Sequence, residues 1–251
     1  MSSFAESYDR YRPRPPEALL DLLTRLAGVE RPALVVDLGT GTGLSARAWV
    51  DRAHRVVGIE PDDAMRSVAE EQRGGVEYVA AGASETRLPD GSADVVTASQ
   101  SLHWMELGPT FAEVARILRP GGVFAAYDYD ITPVVQPEVD AAFEAVAEAA
   151  VALRQETGLI SPWTRRHAHT KREHLAAMHA SGAFSYVRET VLHSVEPGDA
   201  ERLLGIVRSL GAVEVHRDRL SFDELERVTQ RVLGNRVMPF WFGYRVRLGI
   251  R

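Results

Sequence analysis

The chain has 251 residues, 45% of them hydrophobic, which is enough for one sizeable core at the upper end of what a single α/β domain holds. Its 29 basic residues stand against 35 acidic ones, a net charge of −6, so there is no overall positive field to hold a phosphate backbone and no nucleic-acid partner is expected. The absence of cysteine excludes disulfides, thiolate metal sites and cysteine nucleophiles, and suits a reducing compartment.

From Arg31 to Tyr129, short β-rich runs alternate with helical-period segments, the pattern of a parallel sheet covered on both faces by helices. The expected strands are ALVVDL (33–38), HRVVGIE (54–60), VEYVAA (76–81), ADVVTASQ (93–100) and GVFAAYDY (122–129). A helix is expected from Leu44, and another over PDDAMRSVAEEQR, where Asp62 and Asp63 favour a helix N-terminus. A further helix over GPTFAEVARILRPGG is expected to end at Arg119–Pro120, before Gly121. After Tyr129 the pattern changes to one long amphipathic helix, PEVDAAFEAVAEAAVALRQETG, and a basic stretch, SPWTRRHAHTKREH, which together read as an insertion. A strand (184–196), two helices, the second opening with a capping box at Ser221/Glu224, and a terminal strand FWFGYRVRLGI complete the chain. That last strand is expected to run antiparallel, at the edge or between neighbours. No segment approaches the roughly 18 consecutive apolar residues of a membrane span and the first residues lack an apolar signal core, so a cytoplasmic protein is expected.

The stretch VVDLGTGTGLSARAW places Gly39, Gly41 and Gly43 where the first strand turns into a helix. Ligands of open α/β sheets bind beyond the carboxyl ends of the strands, and glycine there lets the backbone touch a ligand where a Cβ would clash. The spacing is not that of dinucleotide sites, since Leu44 stands where the third glycine would fall, and no G-K-[ST] follows to make a phosphate loop. Asp37 would repel a pyrophosphate but could receive an amino group or a cation. Glu60, ending the second strand, is placed to accept ribose hydroxyls. A nucleoside with a zwitterionic or cationic tail and no phosphate fits these residues.

With VVDLGTGTG, GIEPDDAM, GASETRLPDGSADVVTASQSLHW, ARILRPGGVFA and YDRYRPRPP in place, the sequence resembles the Rossmann-like S-adenosylmethionine-dependent methyltransferases of class I. Within them it is most similar to the small-molecule branch related to the ubiquinone-biosynthesis and trans-aconitate enzymes. The resemblance implies one domain with a doubly wound, mostly parallel seven-stranded sheet and an antiparallel last strand. Its parts would be a cofactor-covering helical segment (1–30), a cofactor-binding core (31–130), a helical insertion or lid (131–183) and closing strands and helices (184–251). It also implies that Asp37, Gly39, Gly41 and Gly43 line the methionine part of S-adenosylmethionine, and that Glu60, with Pro61 beside it, holds the ribose. Ala83, Ser84 and Glu85 stand where the family holds adenine, Gln100 where the fourth-strand loop meets the cofactor, and Tyr11 and Arg12 match an N-terminal pair.

Methyl transfer from a sulfonium needs a nucleophile held close and aligned, and a base only when the acceptor enters protonated. His103, just after the fourth strand, is the candidate base, with loop bonding beside a packed Trp104 as the plainer alternative. Trp104, Tyr127, Trp163, Arg165 and Arg166 are candidate substrate residues, the arginines as part of a basic cluster that would clamp an anionic acceptor or else form a solvated face. His167 and His169 are two apart with no ligand-spaced carboxylate beyond Glu173, so no metal is expected. The expected activity is methylation of a small-molecule acceptor at oxygen. The alternatives are ester formation on a small anionic acid and a non-catalytic protein that binds S-adenosylmethionine or S-adenosylhomocysteine.

Overall fold

A computed structural model describes residues 4–72, 74–159, 171 and 173–251. In chain order its elements are α1 (Phe4–Tyr11), α2 (Glu17–Leu26), β1 (Leu34–Leu38), α3 (Leu44–Arg47), β2 (Arg55–Ile59), α4 (Asp63–Glu71), β3 (Glu77–Val79), β4 (Ala93–Ser99), a 3-10 turn (Leu102–Trp104), α5 (Leu107–Ile117) and β5 (Leu118–Tyr129). There follow α6 (Pro137–Thr157), α7 (Glu173–Ala180), β6 (Tyr186–Gly198), α8 (Ala200–Arg208), α9 (Gly211–Val215), a 3-10 turn (Arg217–Arg219), α10 (Asp223–Val232) and β7 (Met238–Ile250).

The strands form a seven-stranded sheet in the order β3-β2-β1-β4-β5-β7-β6. The first five are parallel, and β7 runs antiparallel between β5 and β6, with Val123 opposite Ile250 and Tyr129 opposite Tyr244. Strand order reverses between β1 and β4, which makes their carboxyl ends the switch point at which such sheets bind ligands.

Contacts group the described residues into two units. In the first, made of residues 14–129, 171–192 and 244–251, every residue of β1 is buried, as a parallel strand covered on both faces requires. Val36, Leu38, Val57, Ile59, Val96 and Phe124 form one core cluster, each side chain contributing about 1.5–3 kcal/mol by leaving water. Phe184 stacks on Phe124 at 5.6 Å between ring centres and meets Phe111 edge-on. The helix α4 is capped as expected, Asp62 accepting from the amides of Ala64 and Met65.

The second unit comprises residues 4–13, 130–159 and 193–243. Here α6 packs against α9 and α10, with Pro137 in its first turn and a left-handed Gly158 at its end. The helix α1 lies on α8: the Tyr11 ring covers Gly205, where a Cβ would overlap it, and the Arg12 guanidinium donates to the Ser209 hydroxyl and carbonyl at 2.8 Å each.

Two local expectations are corrected. The helix α5 stops at Ile117, because Leu118 already pairs with Ala93 as the start of β5; Pro120 disfavours helical backbone at Arg119, so the chain turns extended before the expected stop. The capping box at Ser221/Glu224 does not form. Phe222 takes the cap position of α10, and the Glu224 carboxylate is drawn to Arg227 Nε at 2.9 Å.

Candidate functional site

The glycine turn leaves β1 at the switch point, and its three glycines all adopt left-handed backbone, with φ of 61°, 58° and 81° at Gly39, Gly41 and Gly43. Each meets a different surrounding. A Cβ on Gly39 would stand 2.8 Å from the Ser101 Cβ, and one on Gly43 would overlap the Tyr78 hydroxyl, so both positions are closed by packing. A Cβ on Gly41 would meet nothing within 4 Å. Gly41 therefore offers open backbone at the place where the sequence calls for close approach.

Asp37 is fully buried and supports this turn from below. It faces Thr97 across the β1/β4 pair, and the Thr97 hydroxyl donates to Oδ1 at 2.6 Å; Thr40 and Ser45 donate to Oδ2 at 2.7 and 2.5 Å. Burial pushes the carboxyl pKa up, against the pull of the three hydroxyls. Asp37 thus ties both ends of the turn to the neighbouring strand, a role that its position two residues before the first glycine does not disclose.

Glu60 ends β2 beside the turn. Its Oε2 accepts from the Gly41 amide at 2.8 Å and its Oε1 from the Asp62 amide at 2.9 Å, so one carboxylate fixes the glycine turn and the start of α4 together. Burial raises its pKa, the two amides oppose that rise, and the charges of Asp62 and Asp37 add to it. Each carboxylate oxygen keeps a second acceptor site, so two further hydroxyls can be received. Pro61 is exposed between Glu60 and the cap. The Ala83–Glu85 turn is closed by the Glu85 amide on the Gly82 carbonyl and anchored by Thr86, whose amide and hydroxyl donate to Glu113 at 2.7 and 2.6 Å. Ala83 packs against the core while Ser84 and Glu85 are exposed.

Beyond β4, Gln100 holds left-handed backbone at φ 50°, its amide donating to the Tyr127 carbonyl and its side-chain Nε2 to the Tyr129 carbonyl, both at 2.9 Å. Ser101 donates to the Leu38 carbonyl at 2.7 Å and binds this loop to the end of β1. His103 is half-buried against Trp104, with ring centres 4.7 Å apart. Burial, reinforced by the charges of Lys171 and His174 against a counter-pull from Asp128, pushes its pKa down to about 4. The imidazole is neutral at neutral pH and a weak base. Tyr127 is buried within the sheet at 1% exposure.

At the end of β5, Asp128 is buried and accepts from Arg247 Nη1 at 2.6 Å and pairs with Lys171 Nζ at 3.0 Å, while Lys171 also donates to Gln100 Oε1 at 2.6 Å. Burial works against the Asp128 carboxylate, yet Lys171 and Arg247 hold its pKa below the usual value. Asp37, the three glycines, Glu60, Gln100 and His103 all belong to the sheet-bearing unit, whereas Tyr11 and Arg12 belong to the helical unit, where Arg12 is bonded to Ser209. Trp163, Arg165 and Arg166 lie outside the described residues, as do His167 and His169. No group of three or more metal-ligating side chains occurs among the described residues, and none of their helices is long and apolar enough to cross a membrane.

Residues 36–126 match the methyltransferase domain family. An uncharacterized methyltransferase of Mycobacterium tuberculosis is 38% identical over 117 residues, 46% of each chain, and the malonyl-[acyl-carrier protein] O-methyltransferase of Pseudescherichia vulneris is 32% identical over 122 residues, 48% of each. The chain spans about half the length of the curated relatives it matches. A solved structure described as a type II methyltransferase from Anaeromyxobacter dehalogenans superposes with a TM-score of 0.69 at 28% identity, covering 96% of this chain and 98% of that one. The geranyl diphosphate methyltransferase solved with S-adenosylmethionine has a TM-score of 0.52 at 18% identity over 93% and 84% of the two chains, a likeness of fold. The open glycine turn, the buried acid beneath it, the second-strand carboxylate and these relatives agree: residues 36–126 carry a methyltransferase domain, and the chain has the Rossmann-like fold of the class I S-adenosylmethionine-dependent methyltransferases.

Proposed function

We propose that this protein transfers a methyl group from S-adenosylmethionine to an oxygen of a small-molecule acceptor. The observation that carries the reading is the open backbone of Gly41 held against the buried Glu60 carboxylate at the switch point of the sheet. S-adenosylmethionine, when bound, supplies a methyl group on an already activated sulfonium. Glu60 is suited to receive the two ribose hydroxyls, Gly41 presents a backbone without a side chain to the methionine portion, and the Ala83–Glu85 turn offers a partly apolar edge to the base.

Gln100, His103 and Lys171 stand beyond β4 and β5, where an acceptor would meet the methyl group, and His103 enters the reaction neutral. Choosing oxygen over nitrogen or carbon is supported by the O-methyltransferase among the relatives. A small-molecule acceptor rather than nucleic acid is supported by the net charge of −6. The test is incubation with methyl-labelled S-adenosylmethionine and a panel of phenols, carboxylic acids, alcohols and amines. The expected result is label on an oxygen, with one S-adenosylhomocysteine formed per methyl transferred. Label confined to nitrogen or carbon would overturn the assignment to oxygen, and S-adenosylhomocysteine binding without transfer to any acceptor would mark a non-catalytic binder.

A further inference from the structure

The ion pairs at the carboxyl end of β5 hold more positive charge than the buried acid needs. Arg247 is 2% exposed and already satisfies Asp128 Oδ2 at 2.6 Å, and its own second partner is Glu189, 3.4 Å from Nε. Lys171 then brings a second cation to Asp128, on the other oxygen. Glu189 is in turn paired with Arg245 Nη1 at 2.9 Å, so two carboxylates, Asp128 and Glu189, stand against the three cations Arg247, Arg245 and Lys171, and the cluster carries one positive charge in excess. Unlike Arg247, the Lys171 side chain is 37% exposed, and only two of its three donors are engaged among the described residues, by Asp128 Oδ1 and Gln100 Oε1. It is also anchored: a lysine held at both an acid and an amide has lost the rotamer freedom that makes a surface lysine a poor ligand.

What surrounds it narrows the ligand. Gln100, which Lys171 grips, follows β4 directly, and β4 pairs with the strand that carries the glycine turn. His103 is close enough to feel the Lys171 charge and is neutral, so it neither competes for an anion as a second cation nor has the strength to deprotonate a reluctant hydroxyl. An acceptor that arrives ionised suits such surroundings. We infer that Lys171, braced by Asp128 and Arg247, is the acceptor-recognition residue of the site and that the acceptor is a small carboxylic acid, bound as its carboxylate.

This inference rests on the methyltransferase reading, and the experiment separates the two. Wild-type protein and the variants Lys171→Ala and Lys171→Arg are first titrated calorimetrically with S-adenosylhomocysteine. Each is then saturated with it and titrated with benzoate, phenylacetate, succinate and glutarate, and with the matching neutral amides, while the His103 ring resonances are followed by NMR. S-adenosylhomocysteine is expected to bind all three proteins equally. At least one carboxylate should bind wild type, move the His103 resonances and raise its pKa as the Lys171 charge is met, with its amide at least tenfold weaker. The same carboxylate should bind Lys171→Ala at least tenfold more weakly, and Lys171→Arg to within a fewfold of wild type. Equal carboxylate binding by wild type and Lys171→Ala, a preference for the amides, or no binding by any carboxylate of the panel would overturn the assignment. Failure of S-adenosylhomocysteine to bind wild type would overturn the methyltransferase reading itself, and this proposal with it.

Discussion

At the scale of single residues, His103 shows how a side chain named from its place in the chain acquires its chemistry from its neighbours. A histidine after the fourth strand suggests a base near neutral pH, but burial and the Lys171 charge bring its pKa to about 4, against an ordinary value of 6.5. The folded protein therefore binds fewer protons than the unfolded chain between those values. The stability His103 contributes is fully present above about pH 6.5 and is lost as pH falls toward 4. We expect the free energy of urea unfolding to rise less steeply between pH 4.5 and 6.5 in His103→Asn than in wild type, since the variant lacks that titration. Identical slopes in the two proteins would contradict the assigned pKa. Above pH 7 the two profiles should run parallel.

At the scale of elements, the turn from β1 to α3 depends on a partner 60 residues away. Asp37 and Thr97 face each other only because β1 and β4 pair in register, and Ser45 reaches the same carboxylate from the first turn of α3. Substituting Asp37→Ala would leave three buried hydroxyls without their acceptor, at about 1 kcal/mol each, a loss of roughly 3 kcal/mol in all. Asp37→Asn, which keeps an acceptor oxygen, should lose less than half as much. Urea midpoints at an unchanged m-value measure both, and an unaltered midpoint in Asp37→Ala would refute the tie. This pairing also marks what the sequence discloses. The five parallel strands, the glycine turn, Glu60 and the Asp62 cap are written in contiguous residues, whose alternation, chirality demands and capping chemistry are local. The hydroxyls around Asp37 and the Lys171–Asp128–Arg247 cluster are not, because their members meet through strand register and through chain separations such as the 119 residues from Asp128 to Arg247. The helix α5 and the cap of α10 departed from expectation for a related reason: Leu118 was claimed by pairing with Ala93, and Glu224 by Arg227, interactions that compete with the local stop and cap signals.

At the scale of the whole molecule, the sheet order places on one edge the glycine turn after β1, Glu60 after β2, Gln100 and His103 after β4, and Asp128 at the end of β5. Those positions belong to one contact unit, which brings together the residues proposed for donor and acceptor. A ligand that binds only the folded state stabilises it in proportion to the logarithm of its excess concentration, so occupancy of this edge would register in the stability of the protein. The most direct measurement is calorimetric titration with S-adenosylhomocysteine of wild type and Glu60→Ala, after cooperative thermal unfolding has been verified for both. Wild type is expected to bind with micromolar affinity, about −8 kcal/mol, and Glu60→Ala at least tenfold more weakly. No binding by wild type, or equal binding by a folded Glu60→Ala, would contradict the assignment of this edge to S-adenosylmethionine.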